Sequence, residues 1–326
     1  MPDLRKRLSE PGILIMDGAT GTQLQQLGLP AGMAPEIWNL DNPEAVKNHY
    51  RAYYEAGSDA VLTNTFGGTR PRLDMEGRGV DTHAINVAAA RLAREVAGDD
   101  KFVLGSIGPT GVLMEPMGEL TYEKAVEYFA EQAAALAEGG VDGLHIETMS
   151  DLSEAKAAIE AAHQVTDLPV TVTMSFDMHG RTMMGVRPED AVQELWAMDV
   201  LAVGANCGRT LEENLAAIKA MRTAAPEARL VVKPNAGLPR TEDGVEVVYD
   251  VTPEIMADFA LQFGEQHITM MGGCCGSNPA HITALKDKLA DFSPPPLAEV
   301  LAKNKAAAAE SGSDEKRSRR RGSGRR

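Results

Sequence analysis

The chain has 326 residues, 44% of them hydrophobic and 5% aromatic, enough for one large domain or two ordinary ones with substantial cores. Its net charge of −15 is unevenly spread: residues 311–326 hold seven Lys or Arg against two acids, so the body is strongly acidic and is a poor nucleic-acid-binding core. No early apolar stretch reads as a signal peptide and no run approaches a membrane span, which points to the cytoplasm.

Short apolar runs alternate with amphipathic helical stretches to about residue 291. Ile13–Met16 ends in Asp17-Gly18-Ala19-Thr20-Gly21-Thr22, and Ala60–Thr63 ends in Asn64-Thr65-Phe66-Gly67-Gly68. Phe102–Ile107 ends in Gly108-Pro109-Thr110-Gly111, Gly143–Ile146 in Glu147-Thr148, and Pro169–Met174 in Ser175-Phe176-Asp177. Leu201–Ala205 ends in Asn206-Cys207-Gly208, Leu230–Lys233 in Pro234-Asn235-Ala236-Gly237, and His267–Met271 in Gly272-Gly273-Cys274-Cys275-Gly276. Helix starts are legible between them: Asn42-Pro43-Glu44 and Thr252-Pro253-Glu254 read as cap, first-turn proline and acid. Strand–helix alternation repeated eight times predicts an α/β fold, a (β/α)8 TIM barrel. A doubly wound open sheet is the alternative, but Gly18-Ala19-Thr20-Gly21 is not the dinucleotide fingerprint and no phosphate-binding lysine follows it. The barrel is expected over residues 1–292. A Pro-rich linker with a short Ala-rich helix follows over 293–310, then a disordered basic tail over 311–326.

Barrel active sites lie at the C-terminal ends of the strands. The only three cysteines of the chain sit there, Cys207 after the sixth run and Cys274 with Cys275 after the eighth. One strand separates them, so their sulfurs can converge over the seventh. Three protein ligands and an open position describe a catalytic zinc site. Buried inert thiols and a vicinal disulfide are the competing readings. Three thiolates already neutralise a zinc ion and leave a poor Lewis acid. Such a site suits a fourth, substrate thiol held deprotonated for attack on an activated methyl group. Asp177, Asn64 and Asn235 stand in the same ring, suited to supporting hydrogen bonds or to loop capping. His145 is expected in the barrel wall, His267 at the far end, and Trp38 and Tyr54 in packing roles.

The strand-end segments resemble the zinc-dependent homocysteine S-methyltransferase family, above all Asp17–Thr22, Thr63–Phe66, Ile146–Thr148, Asn206-Cys207-Gly208 and Gly272–Gly276, over roughly Gly12 to Leu289. That resemblance implies Cys207, Cys274 and Cys275 as zinc ligands and homocysteine sulfur in the open position. It implies Glu147 as partner of the substrate ammonium, with Asp17 and Gly18 at the amino-acid end. Asn64 and Asn206 complete the expected substrate pocket. The donor it suggests is betaine or a related small onium compound. Gly67 and Met33-Ala34-Pro35-Glu36 lack the aromatics of the animal betaine enzymes, however, and Pro234–Pro239 is closer to the barrel of cobalamin-dependent methionine synthase. That version takes its methyl group from a separate corrinoid protein. A noncatalytic barrel that tethers RNA or a partner through the basic tail is the reading from another class, and an oligomer is compatible with all three.

Overall fold

Eight parallel strands form a nearly closed barrel surrounded by helices in the computed structural model, which describes residues 2–308 apart from 178 and 243–245. The barrel strands are β1 (Leu14–Ile15), β2 (Ala60–Leu62), β3 (Phe102–Ile107), β4 (Gly143–Met149), β5 (Val170–Met174), β6 (Ala202–Cys207), β7 (Leu230–Pro234) and β8 (Ile268–Met271). They follow one another in the order β1-β8-β7-β6-β5-β4-β3-β2. All eight expected strands are present, because each apolar run is bounded by glycine, proline or a helix cap.

The seam between β1 and β2 has no strand ladder, and carboxylates complete it. The Asp59 N–H donates to Ile15 O at 2.7 Å, Asp59 Oδ2 accepts from the Ile15 N–H at 3.0 Å, and Asp17 Oδ2 accepts from the Leu62 N–H at 2.7 Å. Inside the barrel, Leu14, Met16, Leu62, Leu104, Val231 and Met270 fill the lower lumen, and Leu4 of an N-terminal helix plugs its base. Between strands and helices lies the larger core, in which side chains such as Phe129 and Phe263 are fully sealed. Each of these contributes about 1.5–3 kcal/mol by leaving water.

The two helix starts read from the sequence differ in their caps. Thr252 accepts from the Ile255 N–H ahead of the helix Pro253–Glu265, and Thr121 does the same for Tyr122–Gly139. Asn42 precedes Pro43 as expected, but its side chain makes no cap bond. Beyond the barrel, residues 297–308 are helical and dock back through buried Val300 and through Asn304, whose amide donates to Gln266 Oε1 at 2.8 Å. The basic tail lies outside the described residues. Among the described residues no helix is long and apolar enough to cross a membrane.

Candidate metal and thiol site

Strand register brings the cysteines together. Cys207 pairs with Pro234 on β7, and from the other side the Cys274 N–H donates to Pro234 O at 2.8 Å. Both residues therefore flank the same proline at one height. The three sulfurs lie within 4.8 Å of one another, Cys207 and Cys274 at 3.0 Å. Around a tetrahedral zinc with bonds of about 2.3 Å, sulfurs sit about 3.8 Å apart, so the cluster is sized for one ion with a slight spreading. Mutual contacts shift the thiols in opposite directions. Hydrogen bonds to Cys274 and then Cys275, with burial, raise the Cys207 thiol well above the ordinary range. Cys275, receiving hydrogen bonds first from Cys207 and then from Cys274, is pushed down to about 3. A dication held by the three sulfurs would displace their remaining protons.

Glycines around the pair act mainly by their lack of bulk. A Cβ on Gly272 would lie 2.5 Å from Asp17 O, and one on Gly273 would lie 2.3 Å from Ser277 Oγ. Of the three glycines only Gly276 needs a left-handed backbone, at φ +79°. Cys207 itself adopts φ +55° and Thr148 φ +62°, both strained for residues with a Cβ.

Asn206 holds the sulfurs in place. Its Oδ1 accepts from the Thr148 N–H at 2.9 Å, while its Nδ2 donates to Thr148 Oγ1 and faces Cys207 Sγ at 3.5 Å and Cys274 Sγ at 3.9 Å. Glu147 is buried on β4 and accepts from Ser106 Oγ at 2.6 Å. Burial pushes its carboxyl up to about 7; Lys233 opposes the rise and Cys274 adds to it.

Asp17 and Asn64 are deployed elsewhere. Asp17 is sealed, its Oδ1 2.6 Å from Lys233 Nζ and its Oδ2 on Leu62, so no carboxylate oxygen is without a partner. Gly18 lies where a Cβ would meet Ser277 Oγ and Tyr53 Oη within 2.7 Å. Asn64 donates to Pro35 O at 2.7 Å and Asn39 Oδ1 at 3.0 Å, tying two loops together. Asn235 donates to Gly208 O, and Asp177 has one buried oxygen without a partner. His145 stands in the barrel wall, its Nδ1 2.7 Å from Thr171 Oγ1, but its Nε2 has no partner. His267 is at the far end, bonded to Pro295 O. Lys233, Ser106 and Tyr249 escaped sequence reasoning, and Thr148 entered it only as the neighbour of Glu147. Only Lys233 left a signal there, as a charge closing the apolar run Leu230–Val232.

A family model described as homocysteine S-methyltransferase matches residues 14–289. The methionine synthase of Mycobacterium tuberculosis is 32% identical over 305 residues, covering 87% of this chain and 25% of that protein. The methionine synthase of Mycobacterium leprae is 32% identical over 310 residues, covering 86% and 24%. The chain thus spans about a quarter of the length of these curated relatives. Among solved structures, the homocysteine methyltransferase MmuM of Escherichia coli in its metallated form matches with TM-score 0.74 and 25% identity, over 87% of this chain and 99% of that one. Its oxidized form matches with TM-score 0.75 and 25% identity, over 88% and 100%.

Proposed function

Because the chain belongs to the homocysteine S-methyltransferase family, we propose that it methylates the homocysteine thiol to give methionine, with zinc at Cys207, Cys274 and Cys275 and a small onium compound such as glycine betaine as donor. The observation that carries this reading is the convergence of three sulfurs beside a buried carboxylate, Glu147. Zinc bound there supplies a substrate thiol that stays deprotonated at neutral pH. The homocysteine sulfur attacks the donor methyl carbon. A sulfur–carbon bond forms, the carbon–nitrogen bond breaks, and its electron pair leaves with the nitrogen as a neutral amine.

The chain's own residues prepare that step. Glu147, held by Ser106, is the partner for the homocysteine ammonium. Asn206 and Thr148 hold Cys207 and Cys274 at their height. Asp17 and Lys233 fix the end of β1, so that Gly18 and its neighbours offer main chain to the amino-acid end. A cytoplasmic setting suits the site, since three thiols must stay reduced to hold a metal. The E. coli homocysteine methyltransferase, 99% of which this barrel covers, supports methyl transfer to homocysteine by a barrel of this size.

A second reading, methyl transfer from a separate corrinoid protein, is favoured by the methionine synthase relatives and by exposed Met117, Met183 and Leu238 on the loops after β3, β5 and β7. Purified, zinc-loaded protein decides between them. Methionine formed from homocysteine and glycine betaine, or another onium donor, supports the first reading. Methionine formed only with a methylated corrinoid overturns it.

A further inference from the structure

A strap after β7 lies against the Cys275–Gly276 turn. This segment leaves at Gly237, makes a short antiparallel hairpin of Arg240–Glu242 with Glu246–Val248, and returns through Tyr249 to Val251. Its base is built shut. The Val251 N–H donates to Ala236 O at 3.0 Å, and the Ala236 N–H donates to Cys275 O at 2.9 Å. His281 Nε2 lies 2.9 Å from Val251 O, and Arg240 pairs with Asp250 at 3.6 Å. Gly237 is at φ +93° with no room for a Cβ, which would fall 2.0 Å from Asp250 Oδ1.

This anchoring places one aromatic ring. A Cβ on Gly276 would lie 2.2, 2.3 and 2.6 Å from Cγ, Cδ1 and Cδ2 of Tyr249. Near-equal distances to these three atoms mean that the ring covers the Gly276 α-carbon with its face, since the edge at Cγ is occupied by the tyrosine's own Cβ. Gly276 directly follows Cys275, the one exposed cysteine of the three. Tyr249 itself is only half-buried.

We propose that Tyr249 is a recognition residue for the methyl donor, its ring receiving the onium group of a quaternary ammonium or sulfonium compound beside Cys275. The inference rests on the onium-donor reading above. An aromatic face attracts such a cation through its quadrupole, and the anionic sulfurs draw the cation to the same place. The strap also explains how a chain poor in aromatics near its strand ends can hold an onium group: the ring arrives from a loop, fifteen residues after Pro234.

The test uses the zinc-loaded full chain as wild type, Tyr249→Phe and Tyr249→Leu. Glycine betaine and trimethylsulfonium are the probes, and equilibrium binding is measured by ligand-observed NMR alongside turnover. Leucine fills the space over Gly276 without a π face. The expected result is probe binding about threefold to thirtyfold weaker in Tyr249→Leu and within about twofold of wild type in Tyr249→Phe, with zinc content and homocysteine affinity unchanged. Wild-type probe affinity in Tyr249→Leu overturns the proposal and leaves the onium-donor reading standing. Loss of zinc, or equal loss of homocysteine and probe, assigns the ring to packing and also overturns it. A wild-type protein that neither binds nor uses any onium donor overturns both.

Discussion

Lys233 Nζ lies 2.6 Å from Asp17 Oδ1, the two side chains 2% and 0% exposed, and 216 residues of chain separate them. The same ammonium also donates to Asp17 O at 3.2 Å. This pair joins β1 to β7 across the lumen, while the other Asp17 oxygen joins β1 to β2. Burial pulls the Lys233 ammonium down, and Asp17 with Glu147 more than restores it.

Lys233→Met should therefore destabilise the protein by about 3–5 kcal/mol, because Asp17 is left as an unpaired buried charge. Adding Asp17→Asn to that variant should recover part of the loss. Denaturant unfolding of the two single variants and the double variant measures this, and strict additivity would show that the residues do not act as a pair.

Zinc content tests the sulfur cluster. The purified protein should hold about one zinc per chain, and Cys207→Ala, Cys274→Ala and Cys275→Ala should each lose most of it. Metal analysis that finds full occupancy in all three variants would remove the cluster from consideration.

Glu147 gives a signed pH dependence. With its carboxyl pushed up to about 7 by burial, it is protonated below that pH and pairs poorly with an ammonium. Homocysteine affinity, divided by that of a simple thiol lacking the amino group, should fall up to tenfold per unit as pH drops below about 7. In Glu147→Gln this ratio should be low and flat with pH. The linked effect on the free protein has the opposite sense. A carboxyl raised on folding contributes stability below its ordinary value of 4.5, and that contribution is lost as pH rises through about 7.

Gly204 sits on β6 three residues before Cys207, where a Cβ would fall 1.7 Å from Val231 O. Gly204→Ala should break the β6–β7 pairing that sets the height of Cys207, lowering the melting temperature by more than about 10 °C or abolishing soluble expression. Gly21→Ala, with nothing within 4 Å of the added carbon, should stay within about 0.5 kcal/mol of wild type.

The sequence by itself determined the barrel and the meeting of its three sulfurs. Eight apolar runs bounded by glycine, proline and caps can bury themselves only as strands beneath helices, and three cysteines at the ends of the sixth and eighth runs must then meet over the seventh. Those signals are local, or follow from strand order. The tertiary structure alone decided how the remaining polar side chains are used. Asp17, at a strand end like Glu147, is committed to Lys233 and Leu62, whereas the Glu147 side chain takes, among the described residues, only the Ser106 hydroxyl as a hydrogen-bond partner. Asn64 binds two loops together, and its counterpart Asn206 supports the sulfurs. Tyr249 reaches Gly276 from a strap whose residues carry no strand-end pattern. A buried polar group takes the partner that three-dimensional packing sets beside it. Apart from Asn206 and its neighbour Cys207, those partners stand 25 to 216 residues apart, where neither periodicity nor spacing records them.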